Sequence, residues 1–403
     1  MTFKRRYTTI MQSSLFILGR QPALGLAELE SLFGSESVTP IDTHAAIVAV
    51  DPDDIPFNRI GGSIKLAGML TEVNTTEWAA LADYIEDTLP KHLSGIPEGK
   101  LKLGFSTFGI RVDANTINKS ALQIKKAVKS AGRSVRIIPN NDVALNSAQV
   151  IHNQLTSPLG MELIFVRHGN TTLIAQTIRE QDIESYAARD QERPMRDARV
   201  GMLPPKLAQI IVNLATGAQT PSRDLSVLDP FCGTGVVLQE AGLMGYSPLG
   251  SDLEPRMTEY SKKNLEWLQE KWDTSFDITL ITGDATNLEW QENIDAIACE
   301  TYLGRPFSSL PDTETLTEVM QDVNLIHKRF LQNVARQTKP GLTLCLAVPA
   351  WKTPDGFKHL KLLDSLEVLG YTRRSFVHAR ESDLIYYREG QVVARELVIL
   401  TRS

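Results

Sequence analysis

A glycine-rich turn in the second half of the sequence constrains the fold more than any other feature. The segment Asp229-Pro230-Phe231-Cys232-Gly233-Thr234-Gly235 joins a strand pattern ending at Leu228 to a helical pattern over 236–244. Strand and helix patterns then alternate, which is typical of a doubly wound sheet. The last two strand patterns, 383–387 and 392–400, predict an antiparallel hairpin. The sequence therefore predicts an α/β, Rossmann-like domain with an antiparallel edge.

The residue types around this turn indicate which ligand it binds. A dinucleotide loop needs a third glycine where this chain has Leu238, so NAD and FAD are disfavoured. Asp229 suits an ammonium group, Asp252 suits ribose hydroxyls, and Asp284 suits an adenine amino group. Together they indicate an adenosine-containing methyl donor, although the same acids could be turn residues or helix caps. The predicted cofactor-binding residues are Asp229, Phe231, Cys232, Gly233, Thr234, Gly235, Asp252 and Asp284.

The first part of the sequence predicts a small α+β module over residues 1–75. Two strand patterns each precede a helical pattern, so we expect a ferredoxin-like unit. The expected strands are 14–19 and 45–50, and the expected helices are 24–33 and 56–69.

A second α+β module is predicted over residues 76–181. It begins with an amphipathic helix, for which Thr76 is the expected N-cap, and it ends in a hairpin that turns at Gly169-Asn170. Residues 182–204 carry both charge signs and predict a surface linker. The Rossmann-like domain is then expected over 205–403.

The second module is basic within an acidic chain. The net charge of the whole sequence is −6, but the stretch from Lys100 to Leu155 has nine lysines and arginines against two aspartates. Such a local excess of positive charge is typical of a nucleic-acid-binding surface. A solvated helix face is the alternative. The predicted RNA-binding residues are Lys125, Lys126, Lys129, Arg133 and Arg136.

The cysteines and histidines suggest neither disulfides nor a metal site. Cys232, Cys299 and Cys345 are widely separated, and no pair has metal-ligand spacing. We therefore expect a reducing, cytoplasmic location and no metal. No apolar run has the length of a membrane span. Neither heptads nor an exposed apolar stripe predicts a dimer, so a monomer is expected.

Several stretches resemble the THUMP-domain tRNA guanosine-N2 methyltransferases, the archaeal and eukaryotic family acting on position 10 of tRNA. They are Leu15-Phe16-Ile17-Leu18-Gly19-Arg20 with Leu26-Ala27-Glu28-Leu29-Glu30, the basic segment, and Met202-Leu203-Pro204-Pro205-Lys206-Leu207-Ala208. The resemblance implies a THUMP RNA-binding domain over 76–181 and tRNA as substrate. It also implies S-adenosylmethionine, bound by Asp229, Gly233 and Gly235, with Asp252 on the ribose and Asp284 on the adenine. Some members need an activating protein subunit.

The catalytic motif departs from this family. Members have Asp/Asn-Pro-Pro-Tyr/Phe after the fourth strand, whereas this chain has Glu300-Thr301-Tyr302-Leu303. Glu300 can still accept a hydrogen bond from a base amine, and Tyr302 or Phe307 can stack on a flipped base. A structural ion pair or cap for Glu300, core packing for Tyr302, and a lost active site are the alternatives. We predict Glu300 and Tyr302 as catalytic.

The expected function is therefore methylation of the exocyclic N2 of a guanosine in tRNA. Two alternatives remain at this point: a methyltransferase acting on another RNA base or on rRNA, and a tRNA-binding protein whose catalytic motif has diverged.

Overall fold

The computed structural model describes residues 13–197, 202–307 and 309–403. Their helices are α1 Pro22–Phe33, α2 Trp78–Thr88, α3 Ala114–Ser130, α4 Ser147–His152, α5 Ile183–Gln191, α6 Pro205–Thr216, α7 Val236–Met244, α8 Pro255–Lys271 and α9 Thr313–Gln337. Short 3₁₀ helices occur at Ser35–Ser37, Pro52–Asp54, Phe57–Arg59, Leu89–Gly95, Lys361–Leu369 and Glu381–Asp383. None of the helices in these ranges is long and apolar enough to cross a membrane.

Seventeen strands are present in the same ranges. They are β1 Ser14–Leu18, β2 Val38–Ile41, β3 Ala45–Val48, β4 Ser63–Val73, β5 Leu101–Phe108, β6 Val135–Ile137, β7 Gly160–His168, β8 Thr171–Glu180, β9 Ser226–Asp229, β10 Ser247–Asp252, β11 Thr279–Thr282, β12 Ala296–Glu300, β13 Thr343–Thr353, β14 Gly356–Lys358, β15 Tyr371–Arg373, β16 Ile385–Tyr386 and β17 Val393–Arg402.

The chain divides into two compact units. The N-terminal unit contains the described residues up to Pro22, Ser35–Asn58 and Ser63–Ile183. The C-terminal unit contains Ala23–Gly34, Arg59–Gly62 and the described part of Glu184–Ser403. The strands of both predicted N-terminal modules thus lie in one unit. The boundary predicted at 75/76 stays a prediction.

The described residues of the N-terminal unit form one eight-stranded sheet, in the order β2-β3-β1-β4-β8-β7-β5-β6. Helices α2 and α3 contribute apolar faces to a core that includes Leu81, Ile117 and Ile124. Helix α3 begins where the Asp113 carboxylate accepts from the backbone N–H of Thr116 at 2.7 Å, and the polypeptide turns at Gly132, whose φ is +85°.

The helix predicted over 56–69 is wrong, because β4 occupies Ser63–Val73 as an interior strand between β1 and β8. A buried lysine concealed the strand pattern. Lys65 is 1% exposed and its ammonium donates to the Glu162 carboxylate at 2.6 Å. Thr76 is not the N-cap of α2 either. Glu77 holds that position without a side-chain bond, while its N–H donates to the Thr75 hydroxyl at 3.1 Å.

The sheet of the C-terminal unit has the order β11-β10-β9-β12-β13-β17-β15, with β14 paired to β13 and β16 to β17. Strands β9 to β13 pair in parallel, whereas β17 runs antiparallel to β13. The Rossmann-like fold with an antiparallel C-terminal edge is confirmed. From β9 the chain builds outward to β11 and then returns to add β12 on the other side, which is where open α/β sheets bind ligands.

Helix α1 completes the C-terminal unit although it lies near the start of the sequence. The buried Glu28 carboxylate accepts from the backbone N–H of Gly61 at 2.9 Å, from that of Gly62 at 2.7 Å, and from the Asn213 amide at 2.7 Å. A Cβ on Gly62 would come within 2.5 Å of the Gly25 Cα atom, so this close approach requires glycine. Burial raises the pKa of Glu28 to about 7.

The predicted linker 182–204 is partly ordered secondary structure. Helix α5 carries Arg189, which is buried and donates from Nε to the Glu240 carboxylate of α7 at 2.7 Å. Its guanidinium also lies 4.5 Å from the centre of the Tyr186 ring. This segment therefore packs into the C-terminal unit, and only residues 198–201 of it lie outside the described part of the chain.

Candidate functional site

A cavity of about 1180 Å³ lies at the carboxyl ends of the parallel strands in the C-terminal unit. Pockets that bind small molecules are usually about 300–1000 Å³, so this one has room for more than a cofactor. It brings together nine of the predicted site residues: Asp229, Phe231, Cys232, Gly233, Thr234, Asp252, Asp284, Glu300 and Tyr302. Gly235 is not among the residues that line it.

Asp229 ends β9, is buried and lines this cavity. One of its carboxylate oxygens accepts from the backbone N–H of Phe231 at 3.1 Å. Burial raises the pKa of Asp229 well above its usual range, and the negative charges of Asp252 and Glu300 raise it further. A positively charged ligand group beside Asp229 would lower that pKa and stabilise the carboxylate.

The two glycines of the turn have different structural roles. Gly233 has φ +52°, and an added Cβ would meet only the Phe231 carbonyl oxygen, at 3.9 Å, so its surroundings are open. Gly235 has φ +84°, and its Cβ would lie 2.9 Å from the Ser261 hydroxyl oxygen of α8. Gly233 therefore lets a ligand approach the backbone, whereas Gly235 lets α8 approach the turn.

Cys232 is buried, and its surroundings disfavour the reactive thiolate form. The Ser261 hydroxyl lies 3.6 Å from its sulfur, and burial raises the pKa of the thiol well above its usual range. Its N–H donates to the Ser251 carbonyl at 2.9 Å, which holds the turn against β10. The side chain therefore shapes the wall of the cavity as a thiol.

Asp252 and Asp284 both line the cavity and both hold a local turn. Asp252 accepts from the N–H groups of Gly233 at 2.9 Å and Glu254 at 3.0 Å, and burial raises its pKa. Asp284 accepts from Thr286 N–H at 2.9 Å through one oxygen. The turn-residue alternative is thus correct for both, but it does not exclude ligand binding, because each carboxylate faces the cavity.

Glu300 ends β12, the strand next to β9, and forms an ion pair whose partner the sequence did not indicate. Arg395 of β17 donates from Nε to one Glu300 oxygen, and the side chains are 6% and 19% exposed respectively. No described residue donates to the second oxygen. Burial raises the pKa of Glu300, and the charge of Arg395 opposes that rise. Glu300 therefore does form an ion pair, and its second carboxylate oxygen has no donor among the described residues.

Thr301 and His327 anchor the loop that follows Glu300. His327 Nδ1 lies 2.7 Å from the Val323 carbonyl and Nε2 lies 2.6 Å from the Thr301 hydroxyl. Because burial lowers the pKa of His327 to about 4, the ring is neutral at pH 7. Nδ1 must then donate to the carbonyl, so the Thr301 hydroxyl donates to Nε2. No sequence motif indicated this pair, whose members are 26 residues apart.

The aromatic residues of the loop differ in exposure. Tyr302 is 43% exposed, which excludes the core-packing alternative. Phe307 is half-buried and packs against the core of the C-terminal unit. The Arg305 guanidinium lies 5.5 Å from the centre of its ring. Phe231 meets Phe330 of α9 edge to face at 5.0 Å. Tyr302 is thus the more available surface for stacking on a base.

The predicted RNA-binding residues lie on α3 and the turn and strand after it. Lys126, Lys129 and Arg136 are exposed and Lys125 is half-buried, and none of the four forms an ion pair within the described residues. Arg133 differs, because its Nη2 donates to the Pro97 carbonyl and it therefore holds a neighbouring loop. RNA binding by these residues stays a prediction, and a solvated helix face stays its alternative.

Comparison with known proteins identifies the C-terminal part of the chain. Residues 193–352 match the model of the UPF0020 family, described as an RMKL-like methyltransferase domain. The tRNA (guanine(10)-N2)-dimethyltransferase of Methanothermobacter thermautotrophicus is 34% identical over 162 residues, 40% of this chain and 42% of that protein. The tRNA (guanine(10)-N2)-dimethyltransferase of Pyrococcus abyssi is 30% identical over 196 residues, 47% of this chain and 50% of that protein. The matches thus span about half the length of these relatives.

A solved structure extends the similarity of fold to both units. TrmN from Thermus thermophilus superimposes with a TM-score of 0.53 and 16% identity, covering 97% of this chain and 100% of that one. At this identity the likeness concerns the fold alone. The match to the UPF0020 model is a separate finding and concerns residues 193–352, which are similar to its methyltransferase domain.

Proposed function

We propose that this chain is an S-adenosylmethionine-dependent tRNA methyltransferase that acts on the exocyclic N2 of a guanosine. The observation that carries the proposal is the row of carboxylates at successive strand ends, Asp284, Asp252, Asp229 and Glu300, on one cavity of a methyltransferase domain. Relatives named tRNA (guanine(10)-N2)-dimethyltransferase support guanine N2 and tRNA as the substrate class.

The residues present fit the cofactor. The buried Asp229 carboxylate matches an ammonium group, and the open space beside Gly233 admits a ligand against the backbone. Asp252 and Asp284 then serve the ribose hydroxyls and the adenine amino group. When bound, S-adenosylmethionine supplies an electrophilic methyl group.

Glu300 and Tyr302 act on the base. The free oxygen of Glu300 accepts one N–H of the exocyclic amine, which opposes delocalisation of the nitrogen lone pair into the ring. Tyr302 stacks on the extruded base and fixes its plane. Arg395 keeps the Glu300 carboxylate ionised and in one orientation. The chemical step then depends mainly on alignment of the nitrogen with the methyl group.

The N-terminal unit supplies RNA binding in this proposal. Lys125, Lys126, Lys129 and Arg136 neutralise backbone phosphates, and residues 76–181 act as a THUMP domain, with Arg133 fixing the loop behind them. The protein works in the cytoplasm with one copy of this chain, and an activating protein subunit is a further partner in this proposal.

Labelled cofactor and unmodified total tRNA provide the test. After incubation the tRNA is digested to nucleosides, and we expect label in N2-methylguanosine. Glu300→Ala should abolish transfer and retain S-adenosylhomocysteine binding, whereas Asp229→Asn should lose both. Label in a different nucleoside would move the target to another base. Tight tRNA binding with no labelled product would instead make the chain a diverged tRNA-binding protein.

A further inference from the structure

We propose that Arg305 and Arg329 form a phosphate-binding site at the substrate side of the cavity, where they hold the RNA backbone next to the target nucleotide. We call this pair the rim site. It rests on the proposed function for the identity of the ligand. It adds a second, local phosphate contact to that of the basic surface of α3.

The charges that line the cavity are unevenly paired. Its described lining residues include six carboxylates and four arginines: Asp197, Asp229, Asp252, Glu254, Asp284 and Glu300, with Arg256, Arg305, Arg329 and Arg395. Arg256 contacts the Asp197 carboxylate at 3.0 Å, and Arg395 pairs with Glu300. Neither arginine of the rim site has a carboxylate partner among the described residues, and both are exposed.

The position of the rim site along the sheet separates it from the cofactor. The acids predicted to bind the cofactor lie at or just after the ends of β11, β10 and β9, which are neighbours in that order, and Glu300 ends the next strand, β12. Arg305 lies in the loop after β12, and Arg329 lies on α9. Both arginines therefore lie on elements that follow β12 in the chain, beyond the strands whose acids are predicted to bind the cofactor.

Packing between the loop and α9 fixes where these arginines lie. A Cβ on Gly304 would come within 3.2 Å of Val319 and Val323, so the loop lies directly against the helix just before Arg305. The Thr301–His327 hydrogen bond of 2.6 Å joins the same two elements. Ile326, one turn before Arg329, also lines the cavity, so this face of α9 is turned toward it.

The chemistry of the opening favours an anion that arrives with the substrate. A nucleotide that enters a cavity with six carboxylates carries its own negative backbone, and this repulsion must be offset. Two guanidinium groups can each bind phosphate oxygens in a bidentate manner, which a lysine cannot do. The Phe307 ring centre lies 5.5 Å from the Arg305 guanidinium, within range of a cation–π contact.

Binding and turnover of Arg305→Ala, Arg329→Ala and the double variant test the rim site. Lys328→Ala is the matched control, because Lys328 is exposed and adjacent to Arg329 but does not line the cavity. The probes are an unmodified tRNA transcript, titrated between about 50 and 200 mM salt, and S-adenosylhomocysteine. Each arginine variant should lower kcat/KM for the tRNA by roughly 5- to 30-fold. Each should also reduce the slope of log affinity against log salt by about 0.7–0.9. The affinity for S-adenosylhomocysteine should not change.

The outcomes separate this proposal from the proposed function. If the wild type methylates tRNA and both arginine variants match Lys328→Ala, the rim site is wrong and the function stands. If the salt slope falls as expected but no tRNA product forms, the rim site stands and the function is wrong. A loss of S-adenosylhomocysteine affinity would assign the arginines to the cofactor carboxylate and overturn the rim site.

Discussion

Replacing Arg395 by methionine tests whether this side chain keeps Glu300 ionised. Two unit charges about 4 Å apart attract by roughly 4 kcal/mol at an effective dielectric constant of about 20. Glu300 is 19% exposed, so water can compensate part of the lost attraction. At an effective dielectric constant between about 20 and the ~80 of bulk water, we expect the loss of Arg395 to cost about 2 kcal/mol. At about 1.4 kcal/mol per tenfold change in rate, methyl transfer near neutral pH should fall roughly 30-fold.

The pH dependence identifies the cause of that loss. Burial raises the pKa of Glu300 and Arg395 lowers it, so removal of Arg395 leaves the pKa higher still. Activity that needs the carboxylate should then recover as the pH increases, and the acid limb of kcat/KM should move to higher pH. The unfolding free energy of the variant should decrease over the same range, because the unfolded state releases this proton at lower pH.

Arg373→Met is the matched control. Arg373 of β15 donates to the Glu396 carboxylate at 2.9 Å and lies 3.1 Å from Glu381, but it does not line the cavity. It should lose stability with an unchanged pH profile of activity. If Arg395→Met lowers activity by the same factor at every pH, Arg395 does not act through the ionisation of Glu300 and our reasoning is refuted.

Three further predictions concern the turn, the buried histidine and the basic surface. Gly235→Ala should lower the unfolding free energy by roughly 1–3 kcal/mol in chemical denaturation, and by more than Gly132→Ala, which has a similar φ but no neighbour within 4 Å. His327 should contribute a loss of about 3 kcal/mol in unfolding free energy as the pH falls from 6.5 to 4, because the histidine binds a proton in the unfolded state but stays neutral in the folded one. His327→Gln should lack this component. Lys126→Ala should weaken tRNA binding about 2- to 5-fold at low salt and flatten its salt dependence, whereas Lys91→Ala, which removes an exposed pair with Asp87, should not.

Periodic features of the sequence were sufficient to predict the fold of the C-terminal unit. Parallel strands place their carboxyl ends along one edge of a sheet, so the sequence alone predicts that Asp229, Asp252 and Asp284 line one cavity. The same reasoning placed Glu300 beside them. Periodicity failed at β4, where a buried lysine interrupts the apolar alternation and its compensating Glu162 lies 97 residues away.

The partners that define the catalytic loop were beyond sequence reasoning for a physical reason. Arg395 lies 95 residues after Glu300 and reaches it only because β17 turns back antiparallel beside β13. His327 lies on the buried face of α9, which is apolar except for His327 and Asn333, so its bond to Thr301 leaves no periodic signal. Only the register of the strands and the packing of α9 bring these pairs together.

The order in which the chain is synthesised gives the Glu28 contacts a further consequence. Glu28 emerges 185 residues before Asn213, to which it bonds in the folded C-terminal unit. At about 5–20 residues per second, a ribosome synthesises Asn213 on the order of 10–40 s after Glu28. The C-terminal unit therefore cannot be completed early in translation, and a gene fragment that begins at residue 184 encodes it without α1 or the glycine pair that Glu28 binds.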